Sequence, residues 1–183
     1  MSRTKQALLI LDMMNTFDFK DGDKLLPFAF SCSKKILALK KRCNQNKIPV
    51  IYVNDNFGKW RSNWKDIYEL CSDKNCKGQK IATLMKPSKD DYFVLKPKHS
   101  AFYSTSLDVL LHDLKIKTLI VTGIAGNICV MFTVNDAHMR EYQIIIPKDC
   151  IASNTKSDNT YALHHFENVF NLKTTLSTSL KLM

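Results

Sequence analysis

Ala7-Leu8-Leu9-Ile10-Leu11-Asp12 is five apolar residues in a row, without polar alternation, closed by a carboxylate. A strand with one wet face would alternate, so a continuous run predicts a strand covered on both faces, as in a parallel sheet. Five more runs of this kind follow, at residues 49–53, 92–95, 118–121, 143–146 and 171–176. Helical patterns stand between them at 31–47, 105–114, 127–140 and 157–169; the second carries Leu107, Leu110, Leu111 and Leu114 at helix spacing. Strand alternating with helix predicts an α/β fold with right-handed crossovers. The expected architecture is a three-layer α/β/α domain on a mostly parallel, about six-stranded, Rossmann-like sheet. Residues 54–91 are the least regular part, expected to form a long loop with one short helix over the strand ends.

Composition agrees with one compact unit. A chain of 183 residues with 45% hydrophobic side chains can bury a sizeable core, and the whole span 1–183 reads as a single domain. No apolar run approaches the roughly 20 residues that cross a bilayer, and Met1-Ser2-Arg3-Thr4-Lys5-Gln6 leads into too short an apolar stretch for an export signal. The six cysteines are therefore expected as reduced thiols in the cytoplasm. Net charge is +10, which raises nucleic acid as a partner. Lys34, Lys35, Lys40, Lys41 and Arg42, however, share a helix with apolar Cys32, Ile36, Leu39 and Cys43, the pattern of a solvated helix face. No aromatic interleaving or nucleic-acid motif accompanies the charge. Neither nucleic acid nor a membrane is the expected partner; a small molecule is.

Ligands of open α/β sheets bind beyond the carboxyl ends of the strands, so chemistry is sought there. Asp12 ends the first strand and reads either as a cap on the following turn or as a paired or basic carboxylate. Lys96 ends the third strand in Phe93-Val94-Leu95-Lys96-Pro97-Lys98-His99-Ser100-Ala101-Phe102 and reads as a surface lysine or as support for developing charge. Cys129 follows the fourth strand in Val121-Thr122-Gly123-Ile124-Ala125-Gly126-Asn127-Ile128-Cys129-Val130. It reads as a small core hydrophobe, or as a thiol in the first turn of a helix whose dipole lowers its pKa.

These three blocks together resemble the isochorismatase-like cysteine hydrolases, the superfamily of isochorismatases, nicotinamidases, carbamoylsarcosine amidohydrolases and ureide-cleaving enzymes. The likeness lies in the apolar strand ending at Asp12 with Asn15 after it, in Lys96 four residues before Ser100-Ala101-Phe102, and in Thr122-Gly123-Ile124-Ala125 through Cys129-Val130 with Thr133, Asp136 and Ala137. It covers essentially the whole chain. The resemblance implies Cys129 as nucleophile, Asp12 as its base and Lys96 as cationic support. It also implies a non-proline cis peptide between Ile124 and Ala125, and an oxyanion hole from the backbone N–H groups of Ala125 and Cys129. The implied reaction is hydrolysis of a carbon–nitrogen bond in a small amide, carbamoyl or ureide compound through a thioester. The alternatives are vinyl-ether hydrolysis, or a silent homologue that only binds a small ligand. No cofactor is implied, and a homodimer or homotetramer is.

Nicotinamidases in the superfamily hold a metal through an Asp-x-His pair after the second strand and a further His. The corresponding stretch here is Asn54-Asp55-Asn56-Phe57, with Phe57 in place of His, so no metal is expected. Substrate-binding candidates are Asn15 and Phe17 after the first strand, and Asn56, Phe57, Trp60 and Arg61 after the second. Arg61 reads as a partner for a substrate carboxylate or as an exposed loop arginine. Phe57 and Trp60 read as rings stacking on a planar ligand or as loop packing.

Overall fold

The computed structural model describes residues 5–182. Residues 1–4 and 183, the ends of the span read as one domain, lie outside the described residues, as does most of the segment read for an export signal. The strands are β1 (Gln6–Leu11), β2 (Val50–Asp55), β3 (Tyr92–Lys96), β4 (Thr118–Ile124), β5 (Gln143–Pro147) and the two-residue β6 (Ile151–Ala152) and β7 (Thr174–Thr175). Helices α1 (Gly22–Gln45), α2 (Trp64–Ser72), α3 (Gln79–Leu84), α4 (Leu107–Asp113), α5 (Met131–Met139) and α6 (Lys156–Phe170) lie between them. All pairings are parallel and the order is β3-β2-β1-β4-β5-β7, with β6 beside β4. The chain moves outward from β1 through β2 to β3, then returns to β4 on the other side of β1. The strand order therefore reverses between β1 and β4, where such sheets open a crevice.

The unbroken apolar runs follow from burial on both faces. Leu8, Ile10, Tyr52 and Ile120 point into a core shared with α1, α2 and α3. Ala7, Leu9, Leu11, Ile51, Val53, Leu119 and Val121 point into a second core under α4, α5 and α6. Successive strand residues face opposite ways, so both parities must be apolar.

The departures from the sequence expectation have local causes. The sheet has seven strands because residues 151–152 pair with Gly123 and Ile124 at the end of β4, a two-residue ladder too short to leave a pattern. The last strand shrinks from 171–176 to Thr174–Thr175. Helix α1 begins nine residues before the expected start at 31, carrying Pro27 in its second turn, where a sequence reading would place a break. The segment 54–91 holds two helices rather than one. A capping box starts α2: Asn63 Oδ1 accepts from the N–H groups of Lys65 and Asp66, and Asp66 returns the bond to the Asn63 N–H at 3.0 Å. The basic face of α1 is also not wholly solvated. Lys40 is buried, donating to Asp91 at 2.5 Å and to the Tyr52 hydroxyl at 3.1 Å, and Arg42 donates to the carbonyls of Ser177 and Leu180.

Candidate active site

β1, β3 and the turn after β4 bring their terminal residues to one point. Asp12 leaves β1 with a positive φ of 53°; its N–H is still held by the Val53 carbonyl at 3.0 Å. Asn54 fixes the chain just beyond it, accepting from the Met14 N–H at 3.0 Å and donating to the Met14 carbonyl at 2.8 Å. Lys96, the last residue of β3, is wholly buried. A buried ammonium must be paired, and its Nζ lies 2.9 Å from Asp12 Oδ2 and 3.7 Å from Asp55 Oδ2. It also donates to the Lys98 carbonyl at 3.1 Å and reaches Cys129 Sγ at 3.6 Å. Asp12 Oδ1 accepts from the Asp55 N–H at 2.8 Å.

Cys129 comes from the other side of the strand-order reversal. After β4 the Ile124–Ala125 peptide is cis, and residues Gly126–Val130 form one wide π-helical turn before α5. The turn is packed tightly from behind: a Cβ on Gly126 would stand 2.8 Å from Ser153 Oγ, and Ser153 Oγ accepts from the Asn127 N–H at 3.3 Å. The strand that delivers it lies close against β1, for Gly123 has φ 114° and a Cβ there would lie 2.1 Å from the Leu11 carbonyl oxygen. The Ser100-Ala101-Phe102 stretch ties the end of β3 to α5. Ser100 Oγ donates to Asp136 Oδ2, and the Ala101 N–H donates to Thr133 Oγ1 at 3.0 Å.

The electrostatics correct one expectation. Burial pushes the Cys129 thiol well above its ordinary pKa, and the Asp12 charge pushes it further; Lys96 opposes both without prevailing. The thiol rests protonated beside a carboxylate, rather than as a thiolate made by a helix dipole. For Lys96, burial lowers the pKa, but attraction to the Asp12 carboxylate first, with Asp55 contributing, outweighs it and the net shift is upward. The ammonium therefore stays charged.

These groups open on a cavity of about 520 Å³, floored by Asp12, Ile124, Ala125 and Cys129. Of the candidate substrate residues, Asn15 and Phe57 line it. The other four do not. Phe17 is wholly buried in the core with its ring against Phe19, because a positive φ of 57° turns it inward. Asn56 is buried and spends its side-chain oxygen on the Gly58 N–H. Trp60 is 80% exposed and Arg61 is exposed, since the turn after Phe57 carries both away from the strand ends. Beside Asn15 and Phe57 stand Asp55, from the stretch after the second strand expected to overhang the nucleophile, and residues the sequence did not single out: the rim segment Thr16, Asp18, Phe19, Lys20 and Asp21, together with Asn154 and His99. His99 Nδ1 lies 4.0 Å from Cys129 Sγ. Its place three residues beyond Lys96 was the one available signal.

The donor set does not fit the metal of nicotinamidases. Asp55 Oδ1 accepts from the Phe57 N–H at 2.7 Å and its Oδ2 faces Lys96. Among the described residues no group of three His, Cys, Asp or Glu side chains stands together to hold an ion.

Comparison with known proteins agrees with this geometry. The sequence profile of the isochorismatase domain matches residues 6–178. The chain is 50% identical over 169 residues to an uncharacterized isochorismatase family protein, YaaI, of Bacillus subtilis, covering 92% of each. It is 27% identical over 164 residues to enterobactin synthase component B of Escherichia coli, spanning 57% of that longer protein. Among solved structures it superposes on an N-carbamoylsarcosine amidase of Thermoplasma acidophilum with a TM-score of 0.74 at 26% identity, covering 98% of this chain and all of that one. With a profile match over nearly its whole length and a half-identical relative of the same size, the chain belongs to the isochorismatase family of hydrolases.

Proposed function

We propose that the chain is a cysteine hydrolase that cleaves a carbon–nitrogen bond of a small amide, carbamoyl or ureide compound through a thioester on Cys129. The observation that carries this is that Asp12 and Cys129 share one cavity floor with Lys96 buried beneath them, its Nζ 2.9 Å from the carboxylate and 3.6 Å from the sulfur. A protonated thiol next to a carboxylate needs only to pass its proton to become a nucleophile. Asp12 takes that proton as Sγ attacks the carbonyl carbon, and returns it to the leaving nitrogen as the carbon–nitrogen bond breaks. Lys96 holds Asp12 in place and keeps negative charge affordable in a buried site. The developing oxyanion is met by the backbone N–H groups of Ala125 and Cys129. Water then cleaves the thioester.

The likeness to an N-carbamoylsarcosine amidase supports a carbon–nitrogen bond as the target. The cavity supports a small polar substrate: Arg61 stands outside it, while Asp18, Lys20, Asp21 and Asp55 lie on its wall. The reading is tested by offering the purified protein a panel of primary amides, N-carbamoyl amino acids and ureides and measuring release of ammonia or amine. Wild type is expected to release nitrogen from at least one class and Cys129→Ala from none. Equal release by Cys129→Ala would overturn it.

A further inference from the structure

The reaction moves a proton twice, once as the thiol attacks and once as water opens the thioester, and two side chains that can accept it line the cavity around Cys129: Asp12 and His99. Asp12 serves the buried side of Cys129: it is 4% exposed, with Oδ1 on the Asp55 N–H and Oδ2 on Lys96. The water that opens a thioester must enter by the mouth of this cavity. Of the titratable side chains on the cavity wall, Asp18, Lys20, Asp21, Asp55 and His99, it is His99, exposed at the rim, whose Nδ1 lies 4.0 Å from Cys129 Sγ. Its ring is held by packing on Phe132, with centroids 5.3 Å apart, and its backbone segment is fixed by Lys96 donating to the Lys98 carbonyl.

Resting on the thioester reading above, we propose that His99 is a catalytic residue of the second half-reaction, the base that activates the hydrolytic water. With its proton on Nε2, Nδ1 accepts a proton from water as the water oxygen bonds to the acyl carbon. The carbon–sulfur bond then breaks, the acid departs, and Sγ leaves as thiolate. The imidazolium, still beside the sulfur, gives that proton to Sγ and restores the thiol. Water supplies one hydrogen to the sulfur and one hydroxyl to the acyl group, so no other reactant is consumed. Asp12 has by then already returned its own proton to the departing nitrogen.

The test separates the two half-reactions with 4-nitrophenyl acetate, an acyl donor whose phenolate release reports acylation and whose steady state reports deacylation. In His99→Gln the burst is expected within about twofold of wild type, while the steady-state rate falls about a hundredfold, the scale of a lost general base. Acetyl-enzyme should then accumulate on the Cys129 peptide by mass spectrometry. In His99→Ala, added imidazole is expected to restore deacylation, a rescue that a packing role for the ring would not show. Burst and steady state both unchanged, or both reduced alike, would overturn the assignment. A different result overturns the underlying thioester reading instead: Cys129→Ala retaining both the burst and the steady-state rate of wild type.

Discussion

At the residue scale the site turns on a thiol that rests protonated. Burial first, and the Asp12 charge second, hold Cys129 above the ordinary thiol range. Neutralising Asp12 therefore has two effects of opposite sense. In Asp12→Asn the repelling charge is gone, so the thiol ionises at lower pH, and iodoacetamide should alkylate Cys129 faster at pH 8 than in wild type. Turnover should fall by about 10²–10⁴, since no group remains to take the proton during attack. Peptide mapping of the alkylated site together with steady-state rates checks both; slower alkylation would contradict the electrostatic account. Lys96 gives the complementary case. With its ammonium wholly buried against Asp12, Lys96→Met leaves an uncompensated carboxylate in the core, expected to cost about 3–5 kcal/mol in urea unfolding at neutral pH.

At the element scale, what matters is how closely β4 lies beside β1. Gly123 pairs with Leu11 in register, and its φ of 114° with a would-be Cβ 2.1 Å from a backbone oxygen leaves no room for a side chain. Gly123→Ala must separate the two strands that carry Asp12 and lead to Cys129, and a loss above about 4 kcal/mol is expected, read as failure to recover soluble protein or as a collapsed urea midpoint. Gly123 shows how the sequence could be read and where it could not. The runs ending at Asp12 and Lys96, and the glycines before Cys129, were visible because strand ends and tight turns leave local marks. The wall of the cavity left none. Phe17 and Phe19 are two residues apart in the same loop, yet one is core and the other lines the cavity, a choice made by backbone φ. Trp60 and Arg61 followed β2 in sequence but are carried off by a turn. His99 and Asn154, far apart in the chain, line one cavity, a placement that only the sheet order creates.

At the scale of the whole molecule, the excess of basic residues does not form one surface. Lys40 and Lys96 are buried and paired and Arg42 clamps the C-terminal segment, whereas on the cavity wall Lys20 stands among the carboxylates of Asp18, Asp21 and Asp55. Among the described residues no helix is long and apolar enough to cross a membrane. The core is rich in thiols that burial holds protonated: Cys43, Cys71 and Cys150 are each pushed up to about 12 from an ordinary value of 9.0. Their pKa values are raised on folding, so the stability they carry is complete below about pH 9 and is lost as pH rises through about 12. Urea midpoints should fall over that window, and a Cys43→Ala, Cys71→Ala, Cys150→Ala variant should fall less steeply than wild type. Parallel slopes would contradict the assignment. The central claim, that the molecule acts through an acyl bond to one of its six cysteine sulfurs, is tested most directly by quenching turnover of a hydrolysed panel substrate in acid and mapping the peptides by mass. The account predicts a hydroxylamine-labile acyl group on the peptide containing Cys129 and on no other cysteine, with Cys129→Ala inactive. Turnover that persists in Cys129→Ala, with no acyl group on any cysteine of wild type, would contradict it.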